Sequence, residues 1–315
     1  MAVPSNTAQT YALKGIREDL EDVIYNIAPD DTPFLSKCKK VKAKATFHEW
    51  QTDTLRASAT NAHIEGDDTA ATAITATVRL GNYTQIFKNA VITSGTADAV
   101  DKAGRETEMA YQVVKTSKEH KLDIEKALFD NNARVAGSAS VARELAGAPA
   151  WIKTNVSMAV AGSPANPAGD GSDARTDGTQ LAFSQTRFDT VMQAIWNSGG
   201  KPDTVYLSAF QMNVALGFTG NNNQRNNVKK TEVSKLLDLY MTPWGTVQFV
   251  PSRENRARDV FIMQDDKWHV AHLRTTKNEA LAKTGDSDKR QVITELTLVA
   301  ANEKASGGVF DNTTA

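Results

Sequence analysis

The chain has 315 residues with 36 Lys and Arg against 37 Asp and Glu, so its formal net charge is −1. A near-neutral charge argues against nucleic acid or anionic membranes as dominant ligands, because binding to both relies on a basic excess. Hydrophobic residues make up 40% of the chain and charged residues 23%, which is typical of a globular protein. The length predicts roughly two domains with room for a sizeable core.

Simple features of the sequence exclude further classes of protein. No apolar run approaches the ~20 residues of a membrane-spanning helix, and the first residues lack the basic and apolar regions of a signal peptide. Cys38 is the only cysteine, which excludes an internal disulfide framework and a multi-thiolate metal site. We therefore expect a protein made in a reducing cytoplasm, with no membrane as a partner.

Residues 1–40 predict an arm with one small helix. Apolar residues recur on one helical face within 14–25, and Pro29 and Pro33 follow. Proline disfavours helical geometry in the residue before it, so the helix is expected to end there. The stretch is too short and too polar at its start to form a domain of its own.

Residues 41–90 change to the two-residue period of β-strands. Apolar and polar side chains alternate at 41–48 and again at 74–80, with a polar stretch between them. This pattern predicts a projecting β-hairpin with a long polar tip. A two-stranded hairpin alone is marginal in water, so we expect something else to support it, for which a neighbouring subunit is suited.

Residues 96–130 predict one long helix. Apolar and small residues recur at spacings of three and four without an interrupting proline, and Thr93, Ser94 and Thr96 are candidate caps. At ~1.5 Å per residue, the helix would be a rod on the order of 50 Å long. His120 lies among charged residues of this segment, where we expect a surface position.

The second half of the chain predicts a loop followed by an α/β portion. The stretch 157–180 is rich in Gly, Pro and Ser and is the best candidate for a flexible loop. A helix that ends near Gly199 should follow, then several short strands, and an alternating strand at 292–300. The buried face of the helix is predicted to contain Phe188, Val191, Met192, Ile195 and Trp196. The short strands are predicted at 204–207, 247–250, 260–263 and 268–270.

The search for catalytic chemistry is mostly negative. His48 begins a pattern like the helical zinc-protease motif, but Thr52 stands where its second histidine belongs. His63, Glu65 and Asp67 would share one face of an extended segment, which leaves a metal-dependent hydrolase as an alternative. One imidazole on an exposed tip favours a plain loop instead. We predict no catalytic residue, no metal and no cofactor.

Charged residues cluster at two places in the first 70 residues. Five lysines occupy 37–44, where a solvated strand face and a contact surface are about equally favoured. They also adjoin Cys38 and could lower the pKa of its thiol, yet no base is placed beside it. The tip carries a compact acidic group that could complement this lysine cluster on a neighbouring copy. The acids are Glu65, Asp67 and Asp68.

The order of parts along the chain resembles the major capsid proteins of tailed bacteriophages, which share the Hong Kong 97-type fold. These parts are an arm, an extended hairpin, a long helix, a flexible loop, a mixed α/β portion and returning strands. The local sequence is similar to one branch of these proteins over nearly the whole chain. The similar stretches are 28–35 (APDDTPFL), 47–53 (FHEWQTD), 119–125 (EHKLDIE), 240–245 (YMTPWG), 281–286 (LAKTGD) and 302–305 (NEKA).

The resemblance implies an α+β fold and a role for each segment. An N-terminal arm (1–40) would reach across subunits, and an extended loop with its flanking strands (41–90) would lie over a neighbour. The peripheral domain (91–184) would contain the spine helix (96–130) and the flexible loop (157–180). The axial domain would span 185–275, and 276–315 would return to the peripheral domain. The inter-subunit contacts predicted for the loop and its base are Lys42, Lys44, Trp50, Glu65, Asp67 and Asp68.

The resemblance also implies a structural function rather than an enzymatic one. Copies of the chain would form pentamers and hexamers of an icosahedral shell around double-stranded DNA, with weak and non-specific DNA contact. Scaffolding, portal and decoration proteins are further expected partners, and the host cytoplasm is the expected place of assembly. The arm begins almost at Met1, so no fused scaffolding domain is expected. A bacterial nanocompartment shell of the same fold is the alternative.

Overall fold

The computed structural model describes residues 31–314 except 57, 67, 69, 70, 72, 103, 105, 106 and 219–238. The helix predicted at 14–25 lies outside the described residues. Helices and strands are interspersed along the described chain in the mixed order of an α+β fold, as predicted. Among the described residues, no helix combines the length and the apolar character needed to cross a bilayer.

Seventeen named elements define the described fold. The helices are α1 (Pro33–Lys37), α2 (Gly95–Ala99), α3 (Glu108–Phe129), α4 (Gln185–Asn197) and α5 (Ala209–Ala215). The first six strands are β1 (Lys39–Lys42), β2 (Phe47–Thr52), β3 (Val78–Tyr83), β4 (Gln85–Ser94), β5 (Val156–Ser157) and β6 (Thr204–Leu207). The others are β7 (Leu239–Thr242), β8 (Gly245–Pro251), β9 (Val260–Met263), β10 (Trp268–Ala280), β11 (Ser287–Ala300) and β12 (Gly307–Val309).

A four-stranded sheet with the order β1-β10-β11-β4 carries α3 on one face. Only β1 runs parallel to its neighbour, and the other pairs are antiparallel. Ile124 and Leu128 of α3 are buried against this sheet. The central strand β11 is buried on both faces from Gln291 to Ala300, because the opposite face is also covered along that part.

A six-stranded sheet with the order β5-β12-β9-β6-β8-β7 packs against α4. Ser184 caps this helix by accepting from the backbone N–H of Arg187, and Gly199 at φ +86° ends it. Four of the five predicted face residues are buried as expected. Trp196 is 55% exposed, so its predicted burial is wrong, because it lies roughly 90° around the helix from the centre of the buried face.

An aromatic cluster joins the two sheets through α1. The Phe34 ring is fully buried, with its centroid 4.9 Å from Phe129 of α3 and 5.3 Å from Tyr206 of the six-stranded sheet. Trp268 of the four-stranded sheet lies 6.0 Å from the same ring. Large buried rings contribute much of a core's apolar area, so this short helix ties both sheets into one core.

The continuous helix predicted at 96–130 is wrong. The chain forms α2 and α3 instead, separated by residues 100–107. Gly104 takes the left-handed φ of +73°, which glycine adopts without steric cost. Asp98 Oδ1 then accepts from the backbone N–H of Glu108 at 3.0 Å, so its carboxylate satisfies one of the free amides at the start of α3. Of the three candidate caps, Ser94 is the one that caps α2, where its hydroxyl accepts from the backbone N–H of Ala97.

The single strand predicted at 41–48 is also wrong. β1 pairs with β10, the chain turns at 43–46, and β2 pairs with β3 in a different sheet. Ala43 is buried in the turn, so the apolar alternation continues through residues that are not a strand. The second strand of the hairpin begins at Val78 rather than at residue 74.

Two individual expectations are corrected by burial. His120 is buried between α3 and the four-stranded sheet, with ring nitrogens 2.7 Å from Asn89 Oδ1 and 2.8 Å from Thr294 Oγ1. Those partners allow a polar ring on a buried helix face, where a surface position was expected. Cys38 is buried as well, and desolvation raises the pKa of its thiol rather than lowering it.

Three predicted segment boundaries fall inside strands. The boundary after 40 lies within β1, the boundary after 90 within β4, and the boundary after 275 within β10. Because β10 pairs with β11 along most of its length, it belongs with the four-stranded sheet as a whole. The closing strand β12 pairs with β9 and joins the other sheet. The assignment of peripheral and axial domains stays a prediction.

The predicted flexible loop at 157–180 contains no helix, and its only strand residue is the end of β5. Its second half is anchored by charges. The Arg175 guanidinium lies 3.6 Å from the centre of the Phe310 ring. Asp177 contacts Arg256 at 2.5 Å and Arg258 at 3.2 Å. These contacts oppose movement of that half, and the flexibility of the loop stays a prediction.

Candidate assembly surface

Trp50 fixes the base of the β2–β3 hairpin to the body of its own chain. Its indole Nε1 donates to the carbonyl oxygen of Ala300 at 2.9 Å, and its ring lies 5.2 Å from the ring of Trp151. The side chain is half-buried and packs against the main core. Sequence reasoning missed this intrachain role, and the inter-subunit contact predicted for Trp50 stays a prediction.

Two arginines hold the second strand of the hairpin. Arg134 donates to the carbonyl oxygen of Gly81 and lies 5.4 Å from the centre of the Phe47 ring. Arg143 donates to the carbonyl oxygen of Thr84 at 2.6 Å and pairs with Glu295 at 2.5 Å. Hydrogen bonds that involve a charged group are stronger than neutral ones, so the base of the hairpin is firmly attached.

The tip of the hairpin, residues 53–77, contrasts with its base. Its described residues are all exposed and form neither helix nor strand. Leu55 is 100% exposed, Ile64 83% and Ile74 98%. Glu65 and Asp68 are exposed too, whereas Asp67 lies outside the described residues. Among the described residues of the tip, three large apolar side chains and three acids, Asp53 included, are therefore uncovered by their own chain.

The structure gives no support to a metal site on the tip. His63 Nε2 lies 2.9 Å from Asn61 Oδ1. No group of three His, Cys, Asp or Glu residues suited to a metal is found among the residues that the structure describes. Because Asp67 lies outside the described residues, the arrangement on which the hydrolase alternative depends is not tested.

The lysine cluster at 37–44 divides into two parts. Lys37 points into its own chain, where its Nζ donates to Thr204 Oγ1 at 2.8 Å and lies 3.5 Å from Asp265 Oδ2. The side chains of the other four lysines are exposed. The described part of the chain offers these side chains neither a hydrogen bond nor an ion pair. The inter-subunit contact predicted for Lys42 and Lys44 therefore stays a prediction.

An open basic groove runs beside β1 along the outer edge of β10. It is lined by Lys40, Lys42, His272, Arg274 and Lys277, with Val41 and Leu273 as its apolar members. β10 is irregular here, with register shifts on both sides of Arg274 that leave the edge uneven. Burial lowers the pKa of His272, and the charge of Lys40 adds to this effect. The exposed lysines of the groove, Lys40, Lys42 and Lys277, suit an acidic partner.

Comparison with known proteins identifies the family. The profile of the SU10 major capsid protein family matches residues 3–313. The chain belongs to this family. It is 27% identical to the major capsid protein of Escherichia phage Phieco32, over 96% of each chain.

Solved capsid structures show the same fold. The cyanophage A-1(L) capsid subunit superposes with a TM-score of 0.70 at 13% identity, covering 95% of this chain and 98% of the other. A capsid subunit of the native GTA particle gives a TM-score of 0.63 at 9% identity, covering 98% and 100%. The resemblance to tailed-phage major capsid proteins with a Hong Kong 97-type α+β fold is confirmed.

In this capsid protein, a buried carboxylate anchors the start of the described chain. Glu125 of α3 is fully buried, and its two oxygens accept from the backbone N–H groups of Phe34 at 2.9 Å and Leu35 at 2.8 Å. Desolvation, with a smaller contribution from the charge of Glu254, raises its pKa to about 7, although the two amide donors act in the opposite direction. Sequence reasoning missed this anchor, because a Glu within a charged helix face gives no signal of burial.

Proposed function

We propose that many copies of this phage capsid protein assemble into pentamers and hexamers of an icosahedral shell around double-stranded DNA. The observation that carries the proposal is the contrast within the hairpin, whose base is bound to its own chain while its tip is uncovered. An exposed set of large apolar residues marks a surface that meets another molecule. A shell supplies such a neighbour for every copy.

In the proposed shell, the tip of one copy lies over an adjacent copy. Glu65, Asp67 and Asp68 then face Lys42 and Lys44 of the neighbour. One exposed ion pair contributes only about 0–1 kcal/mol, but the contact repeats in every subunit. Attachment of the base fixes where the tip leaves the body, so the direction of the tip is set before a neighbour arrives.

The near-neutral charge supports the enclosure of DNA without tight binding. A strongly basic inner wall would release many counterions on binding DNA and would retain it at moderate salt. We expect weak, non-specific DNA contact, assembly in the host cytoplasm, and contact with portal, scaffolding or decoration proteins. The family favours a phage head over the nanocompartment alternative.

Deletion of the tip tests the proposal. Residues 54–70 are replaced by a short Gly-Ser bridge, and the variant is compared with the parent chain by thermal unfolding and by negative-stain microscopy. Loop length affects stability weakly, so both chains should unfold at similar temperatures while only the parent closes shells. If the deleted chain closes shells as efficiently as the parent, the role of the hairpin tip is wrong.

A further inference from the structure

We infer that the packing of α3 on the four-stranded sheet contains a pH-sensitive lock, in which His120 of the helix is the sensor. The lock is a hydrogen-bonded chain of five side chains that holds the helix at neutral pH and weakens in acid. It runs from Asp123 of α3 through Asn89 of β4, His120 and Thr294 of β11 to Thr276 of β10. The lock lies within one subunit, so the inference does not depend on the proposed shell.

The sensor is enclosed between the helix and the sheet. His120 is 1% exposed and Thr294 is fully buried, whereas the two ends of the chain of contacts, Asp123 and Thr276, are exposed. The Phe87 ring packs against the imidazole at an interplanar angle of 86°, with ring centroids 6.3 Å apart. The imidazole has little contact with water, so it depends on its side-chain partners for hydrogen bonds.

The carboxylate end of the lock fixes which imidazole nitrogen carries the hydrogen. Asn89 Nδ2 donates to Asp123 Oδ2 at 3.1 Å, because an ionised carboxylate can only accept. Asn89 Oδ1 therefore faces His120 Nδ1, at 2.7 Å, and this oxygen can only accept as well. It follows that Nδ1 carries a hydrogen. In the neutral ring Nε2 then has none, and it accepts from the Thr294 hydroxyl at 2.8 Å.

Protonation of the ring reverses the threonine end of the lock. A second hydrogen on Nε2 makes this nitrogen a donor, so the Thr294 hydroxyl has to accept and to turn its own hydrogen towards Thr276. The two threonine oxygens are 2.8 Å apart, and a hydroxyl can serve as donor or acceptor. The exposed Thr276 hydroxyl can in turn donate to water. The added proton stays on His120, and both hydroxyls remain neutral because they only turn.

Charged residues of the neighbouring strands lie away from the imidazole. Lys88 and Glu295 each adjoin a residue of the lock in their strands, so alternation places them on the opposite face of the sheet. Lys277 pairs in register with Ile293 of that opposite face. Arg290 shares the face of the imidazole but lies four residues from the lock in β11, roughly 13 Å away. His272 of β10 is on this face too, and burial lowers its pKa, which favours its neutral form.

The helix supplies the charge that faces the ring. Asp123 lies three positions after His120 on the same helix face, whereas Glu119 and Lys121 on either side are exposed. Burial lowers the pKa of His120 from 6.5, and the charge of Asp123 acts in the opposite direction. The packed chain therefore binds this proton less tightly than a chain in which α3 has left the sheet. The contribution of the lock to stability is present above pH 6.5 and is lost as pH falls through the lower pKa of the packed state.

Magnetic resonance of histidine labelled with nitrogen-15 tests the sensor directly. Solid-state spectra of the full chain are suited to both assembled and sedimented protein, and the signal missing from His120→Gln assigns the ring. At pH 7 we expect a hydrogen on Nδ1 alone, and a second proton only below pH 6.5. A hydrogen on Nε2 instead, or a second proton that binds at or above pH 6.5, would overturn the lock.

Matched threonine variants test the chain of hydroxyls. Thr276→Val removes the group that accepts from Thr294 when the ring is charged, so the pKa of His120 should fall below its value in the parent. Thr276→Ser keeps a hydroxyl at this position and should restore the parent value. Thr275→Val, at the exposed neighbouring residue, is the control and should leave the pKa unchanged. The same pKa in all four chains, or an equal fall in the control, would overturn the role of the hydroxyls.

Hydrogen exchange of the α3 backbone amides tests the consequence for the helix. After correction for the intrinsic effect of pH, the parent should lose protection between pH 7 and about pH 5, and His120→Gln should lose less. Glu125 of the same helix titrates with the opposite sign, so it does not produce a loss in acid. Thr276→Val should lose more protection than the parent, which keeps the test valid if His120→Gln fails to fold. Full protection of the parent at pH 5, or an equal loss in the folded variants, would overturn the lock.

Discussion

The body and the hairpin tip of this capsid protein differ in how far their side chains contact partners within the same chain. At the hairpin base, the Trp50 indole, Arg134 and Arg143 all find partners in their own chain. In the tip, Leu55 and Ile74 are almost wholly in water. Under the proposed function, the body specifies the folded subunit and the tip specifies the contact between subunits. Variants in the two parts should therefore affect different measurements.

The largest effect is expected in the body from Leu128→Asp. Leu128 is fully buried where α3 packs on the four-stranded sheet, so the change places an unpaired charge in the core. We expect loss of soluble folded protein, measured by circular dichroism of the expressed material. Val114→Asp on the exposed face of the same helix is the control and should fold. A folded Leu128→Asp chain would contradict the packing of α3.

The second effect concerns pH and the anchor of α1. The pKa of Glu125 is raised from 4.5 to about 7, so the folded chain holds this proton more tightly than the unfolded chain. Its contribution to stability is full below pH 4.5 and is lost as pH rises to about 7. The loss is on the order of 3 kcal/mol. Glu125→Gln cannot ionise, so urea unfolding of this variant should depend less on pH than unfolding of the parent. Equal pH slopes would contradict the assignment.

A smaller effect is expected from Trp50→Ala at the hairpin base. The variant loses the hydrogen bond to Ala300 and the packing against Trp151, but the residue is only half-buried. We expect a decrease of about 2 kcal/mol in the free energy of unfolding, measured with urea. The tip deletion, which removes many more atoms, should change the same quantity less. The reverse order would break the distinction between base and tip.

The smallest effect on folding is expected from reversing the tip acids. Glu65→Lys, Asp67→Lys and Asp68→Lys together should alter the free energy of unfolding by less than about 0.5 kcal/mol, as is usual for exposed positions. Assembly should nevertheless be impaired, and more at low salt, because screening weakens the repulsion between like charges. Assembly that is independent of salt in this variant would show that the acids do not face a basic surface.

Local pattern predicted most of the elements that bury one face. The spacing of apolar residues correctly located α4 and β6, and the strands β8, β9 and β11 lie where apolar runs or alternation placed them. Strand β11 begins at Ser287 rather than at residue 292, because its first residues are polar and carry no apolar period. The spacing of apolar residues reflects which side chains are buried. It therefore predicts a helix or strand only where burial recurs with the period of that element.

Features that depend on distant residues could not be predicted. The interruption before α3 rests on the Asp98 carboxylate capping a helix that begins ten residues later. β1 runs parallel to a strand more than 200 residues away, and no local pattern encodes that pairing. Burial of Glu125 and His120 likewise depends on partners from other elements. For the surface, the acids and lysines were visible in the sequence, but which of them are exposed and which are paired required the structure.

The most direct test of the account is the mass of the purified full-length chain in solution, measured by light scattering with negative-stain micrographs of the same sample. The described residues of the tip are all exposed in a single subunit, so the account predicts capsomers, closed shells or tubes. A well-behaved monomer of 34.1 kDa at every protein and salt concentration would contradict it.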